Sequence, residues 1–125
     1  MENAFNSNKP IYIQVRELIE DQIINKQLSE GDQAPSTNQL VNYYKINHAT
    51  VSKGTNQLVE EEILYKKRGL GLFVAEGARK KLLKKRRQSF IEDHIVPLVQ
   101  EADKLEVSME EIITYINDMK GSGEE

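Results

Sequence analysis

Apolar and polar positions come in short blocks, and their spacing predicts a mainly helical chain with one small hairpin. Ser36 and Gln39 have the S-x-x-Q spacing of a capping box, and Pro35 disfavours helix before it. A short helix is therefore expected over residues 36–44, with Leu40 and Val41 on its apolar side. Lys45 and Ile46 make a turn, and Asn47 suits the N-cap of a second helix. Val51, Thr55, Leu58 and Val59 keep helical spacing along one face of that helix. Two β-prone runs follow at 63–67 and 72–74, separated by Arg68-Gly69-Leu70-Gly71, a hairpin signal. Helix, tight turn, helix and hairpin in this order make a winged helix-turn-helix, a fold whose second helix fits the DNA major groove.

Beyond the hairpin the period stays helical. Residues 78–104 read as one long helix. Ile91, Ile95, Leu98, Ala102 and Leu105 recur at alternating spacings of four and three, a coiled-coil-like seam. Leu82, Leu83 and Phe90 extend the apolar surface towards the wing. Pro97 lies inside the run, so a kink near His94 or a break is expected. Glu106 and Val107 make a turn, and Ser108 with Glu111 forms a second capping box. A last helix carries Met109, Ile112, Ile113, Ile116 and Met119 on one side and ends at Gly121-Ser122-Gly123. Two amphipathic helices cannot bury this much apolar surface alone, and a second copy of the chain is the simplest cover.

The face of the second helix opposite its core stripe carries His48, Ala49, Ser52 and Lys53, with Thr50 beside them. Small or polar side chains here allow close approach to a groove, and the helix start offers free amides and partial positive charge to phosphate. Lys66, Lys67 and Arg68 put charge beside the glycines of the hairpin tip, where a slim backbone can enter a minor groove. The same fold could instead bind a protein. That reading predicts an acidic or apolar recognition face, and the polar His48, Thr50, Ser52 and Lys53 with the basic wing favour DNA.

Net charge of -3 over 125 residues runs against a nucleic-acid partner until its distribution is read. Residues 1–75 hold eight basic and nine acidic side chains, residues 79–87 seven basic and none acidic, and residues 88–125 two basic and ten acidic. One surface can be positive while the far end is negative, and the balanced first part predicts modest nonspecific affinity. The run RKKLLKKRR is either a solvated helix face over Leu82 and Leu83 or a phosphate-contacting segment. There is no cysteine, no apolar run of membrane-spanning length and no secretory signal, which predicts a cytoplasmic protein without disulfides. Two distant histidines, His48 and His94, make no metal spacing, and no nucleophile–base pair or phosphate loop stands out. Neither an enzyme nor a cofactor is expected.

The order of motifs over residues 10–74 resembles the GntR family of bacterial transcription regulators. The opening Pro10-Ile11-Tyr12, the middle signature Glu30-Gly31-Asp32 with Ala34-Pro35-Ser36, and the wing Gly69-Leu70-Gly71-Leu72-Phe73-Val74 carry that likeness. Arginines common in the family are replaced by Asn38, His48 and Ser52. Arginine on guanine is the commonest specific base contact, so their loss predicts a site weighted towards A·T pairs, or one read more through the wing and DNA shape. The short two-helix tail is similar to that of the YtrA subfamily. That resemblance implies a homodimeric repressor of its own operon, often one encoding an ABC transporter. It leaves room for a small-molecule effector only at the dimer interface.

These readings combine into one expectation. Residues 1–9 are a flexible start, 10–76 a winged helix-turn-helix, 77–120 a two-helix dimerisation segment and 121–125 a disordered tail. Ser36, Asn38, Lys45, Thr50 and Lys53 contact phosphate or sugar. Asn47, His48, Ala49 and Ser52 meet base edges, while Arg68 and Gly69 meet the minor groove. Phe90, Ile91, Ile95, Leu98, Ala102, Leu105, Ile112, Ile113 and Ile116 form the dimer contact. An inducer would act through a hinge at Glu76-Gly77.

Overall fold

A computed structural model describes residues 8–123. The chain forms two compact units, Met1–Lys85 and Arg86–Glu125.

In the first unit, α1 (Ile11–Ile24) presents Val15, Ile19 and Ile23 to the core at helical spacing. α2 (Thr37–Tyr44) begins at Ser36, whose hydroxyl accepts the Gln39 amide at 3.0 Å while the Gln39 side chain accepts the Ser36 amide at 2.8 Å. Lys45 then takes a left-handed conformation, φ 59°, and turns the chain. α3 (His48–Glu60) starts at Asn47, whose Oδ1 accepts the Thr50 amide at 2.7 Å. Val51, Thr55 and Leu58 are buried and Val59 packs at the edge of the core. The capping box, the N-cap and the turn expected here from sequence are all formed.

β1 (Leu64–Lys67) and β2 (Gly71–Val74) pair antiparallel, with Leu64 opposite Val74 at the buried base and Lys67 opposite Gly71 at the exposed end. Residues 31–34 add a third edge. The Ala34 amide donates to the Leu72 carbonyl, the Val74 amide to that of Asp32, and Gln33 bridges Phe73.

α4 (Ala78–Phe90) departs from expectation. Ala78 and Leu82 are fully buried with α1 and α3 residues in one core cluster. Polar contacts fasten the same stretch: Arg79 Nε donates to the Ile24 carbonyl, Lys81 pairs with Glu62, and Lys85 pairs with Glu61 and Glu20. The winged unit therefore extends to Lys85 rather than ending at 76. Glu76-Gly77 is not a free hinge either, because the Gly77 amide donates to the Glu30 carboxylate at 2.8 Å and Ala78 is packed directly behind it. Arg79, Lys81 and Lys85 of the basic run serve this docking.

Arg16 on α1 sets the far end of α3. Its guanidinium, nearly buried, makes two hydrogen bonds to the Glu61 carboxylate and two to Glu20, and a further one to Gln57. The Arg16 hydrogen bonds hold the Glu61 carboxyl below its ordinary pKa, with a smaller contribution from Lys85.

In the second unit the expected kink is a widened turn. Residues Ile91–Ile95 form a π-helical turn, closed by the Val96 amide on the Ile91 carbonyl, before α5 (Val96–Leu105). Pro97 has no amide for the Asp93 carbonyl, and its ring would clash with that group in a regular α-helix. Widening the turn removes the conflict. Glu106 turns left-handed at φ 58°, and Ser108 and Glu111 form their capping box. α6 (Met109–Gly123) runs past Gly121, where the sequence predicts its end. Glycine weakens a helix interior without forbidding it, and in the last turn that cost is smallest. Of the expected tail, residues 124–125 lie outside the described residues, as do residues 1–7 of the expected flexible start.

Candidate nucleic-acid interface

The first unit brings the starts of α2 and α3 and the wing into one folded body. Ser36 holds the α2 start as a hydrogen-bond acceptor, which leaves its own O–H to donate outward. Asn38 lies exposed in the following turn. Asn47 likewise spends its Oδ1 on the cap and keeps its NH2 as a donor pair for acceptor atoms such as a purine N7. His48 and Ala49 are exposed, and Thr50 and Ser52 are half-buried. The His48 Nδ1 lies 3.4 Å from the Ser52 hydroxyl, so these two residues share one patch. Lys45 is exposed at the turn between the helices.

Lys53 is exposed yet has a ring partner. Its ammonium sits 4.1 Å from the centre of the Tyr12 ring on α1. α1 and α3 come this close because Gly54 has no side chain: a Cβ there would lie 2.6 Å from the Tyr12 carbonyl oxygen. In the wing, Lys67 lies over Phe73 at 4.4 Å, while Lys66, Arg68, Gly69 and Leu70 are exposed. Gly69 takes φ 78° and Gly71 φ 122°, so both glycines of the tip are conformationally required.

Tyr12 and Gln33 are absent from the sequence-predicted contacts. Tyr12 is visible only as part of the Pro10-Ile11-Tyr12 opening, and its role depends on Gly54 being forty-two positions away. Gln33 carries no local signal. The expected dimer residues lie in the second unit. Phe90, Ile91, Ile95, Leu98, Leu105, Ile113 and Ile116 are each more than a third exposed, Ile112 is half-buried and Ala102 is buried.

The sequence pattern described as "Bacterial regulatory proteins, gntR family" matches residues 11–74, which contain α1 to the end of the wing. The chain belongs to the GntR family. It is a DNA-binding transcriptional regulator, not an enzyme. Over nearly its whole length it is similar to the uncharacterized HTH-type transcriptional regulator YhcF of Bacillus subtilis, 27% identical over 98% of this chain and 100% of that protein. It is 26% identical to the HTH-type transcriptional repressor YtrA of the same organism, over 90% of this chain and 86% of YtrA. A solved transcriptional regulator from Oenococcus oeni superposes with a TM-score of 0.75 at 26% identity, covering 93% of this GntR chain and 95% of that one. The DNA-binding domain of AraR, solved in complex with operator ORX1, matches 60% of this chain and 96% of that domain at 29% identity and a TM-score of 0.55. Among the described residues no helix is long and apolar enough to cross a membrane.

Proposed function

We propose that this GntR regulator is a homodimeric repressor that binds an inverted-repeat operator. Each copy places the start of α3 in a major groove, with the two half-sites about one helical turn apart. Asn47, His48, Ala49 and Ser52 read base edges. Ser36, Asn38, Lys45, Thr50 and Lys53 hold phosphate or sugar, and Arg68 and Gly69 meet the minor groove. The observation that carries this reading is the pair of capped helix starts, each keeping an outward donor at Ser36 and Asn47 beside an exposed polar face. The operator complex of the similar AraR domain supports operator binding.

The dimer contact is assigned to the second unit. Its apolar residues, Leu98, Leu105, Ile113 and Ile116 among them, lie open to water in the single chain. A second copy would cover them. Likeness to the repressor YtrA along most of the chain supports repression, exerted in the cytoplasm by blocking polymerase. The resemblance points to the protein's own operon, an ABC-transporter operon being the expected kind.

A binding selection from a random duplex library at two salt concentrations tests this. An inverted repeat with salt-sensitive enrichment is expected. Absence of enrichment overturns operator binding, and a single unrepeated half-site overturns the dimer.

A further inference from the structure

A hairpin of two four-residue strands is only marginally stable on its own. Here its base is fixed by burial of Leu64 and Val74. Its tip, where Arg68, Gly69 and Leu70 are exposed, has no such packing. The Gln33 side chain reaches it from outside the hairpin. Gln33 Nε2 donates to the Leu70 carbonyl at 2.7 Å. The backbone of Gln33 is itself held against β2, bridged to Phe73 and flanked by the Ala34–Leu72 and Val74–Asp32 hydrogen bonds. Gly71 makes room for this reach, since a Cβ at that position would lie 2.9 Å from Gln33 Nε2. Three residues after Gln33, Ser36 caps α2. One short segment, hydrogen-bonded along its length, thus holds both the wing tip and the start of α2.

We propose that Gln33 is a positioning residue for DNA binding, its side-chain amide fixing the wing tip so that Arg68 and Gly69 meet the duplex already oriented relative to the Ser36 cap. This rests on the reading of Arg68 and Gly69 as minor-groove contacts. A tip left loose would have to be ordered when DNA binds, at a cost in affinity. A tip held in advance avoids that cost. Only a donor serves here. A glutamate of the same shape would set a carboxylate against the Leu70 carbonyl.

The test is a double-mutant cycle on the selected operator with Gln33→Ala, Arg68→Ala and the pair, and Gln33→Glu as the isosteric variant. Gln33→Ala and Gln33→Glu are each expected to weaken binding about five- to tenfold. The melting temperature should barely move, because the bond is exposed. Base preference should broaden at the flanking positions under the wing and stay sharp under α3. In the Arg68→Ala background Gln33→Ala should add little, because it acts through the tip. Fully additive losses, or unchanged affinity of Gln33→Ala beside a weakened Arg68→Ala, overturn the inference alone. Unchanged affinity of Arg68→Ala overturns the wing reading and the inference with it.

Discussion

Arg16 on α1 grips Glu61, the residue that closes α3, through parallel hydrogen bonds of 2.6 and 2.8 Å. Such a bidentate pair fixes direction as well as distance. Arg16 also faces Glu20, a carboxylate with 2% of its surface exposed. Removing the guanidinium strips that buried carboxylate of its closest charge partner. Arg16→Ala is expected to cost about 3–5 kcal/mol. Lys85→Ala, which removes an exposed partner of the same cluster, should cost less than about 1 kcal/mol. Urea unfolding of the two variants separates them.

The same pair predicts a pH dependence. The folded-state pKa of Glu61 is lowered, so its stabilisation is present above the usual carboxylate range and is lost as pH falls through the depressed value. Wild type should therefore exceed Glu61→Gln in stability at neutral pH. The gap should close below about pH 4. Thermal unfolding of both proteins between pH 7 and 3, spanning the carboxylate range, checks this. A gap that widens on acidification would contradict it.

Gly54→Ala sets two effects against each other. Alanine favours helix by about 1 kcal/mol relative to glycine. The added methyl, however, would sit 2.6 Å from the Tyr12 carbonyl oxygen, which belongs to backbone and cannot rotate away. α1 and α3 would have to separate, and a net loss of about 1–3 kcal/mol is expected in denaturant unfolding.

Lys53 and Tyr12 should be linked in binding. Lys53→Ala is expected to weaken binding to all sequences alike and to reduce the salt slope by about one. Tyr12→Leu, which removes the ring beneath the ammonium, should weaken binding in the same direction, while Tyr12→Phe keeps the ring and should bind like wild type. Titrations at several salt concentrations read both effects.

Leu82 tests the reach of the winged unit. Leu82→Ala should destabilise it by about 3 kcal/mol, since the side chain is fully buried in the core shared with α1 and α3. A fragment ending at residue 76 should melt below one ending at 85.

What was legible in the sequence was local. The caps at Ser36, Asn47 and Ser108 depend on residues three positions apart, and each is formed. The disturbance before Pro97 follows from a missing amide, although its form as a π-turn does not. The Arg16–Glu61 and Gln33–Leu70 bonds join residues 45 and 37 positions apart and leave no periodic trace. The compact unit runs past residue 76 for a related reason. The basic run RKKLLKKRR reads as a solvated helix face over Leu82 and Leu83 or as a phosphate-contacting segment, and neither reading says that Leu82 enters the core shared with α1 and α3 while Arg79, Lys81 and Lys85 fasten the helix there.

The π-turn at Ile91–Ile95 takes up one residue more than an α-helical turn would. Each residue of an α-helix advances the azimuth by about 100°, so everything after the turn is rotated by that angle from where an unbroken helix would put it. The stretch is short and helical throughout, yet it acts as a phase setter for the apolar stripe of α5. A surface loop absorbs a lost or gained residue. Here a deletion within the turn that restored the α ladder would leave Leu98, Ala102 and Leu105 on their present face, whereas a deletion that left the π-turn in place would swing them through more than a quarter of a revolution. Length along this helix is thus constrained by angle rather than by reach, and the turn is where one residue can be lost without changing it.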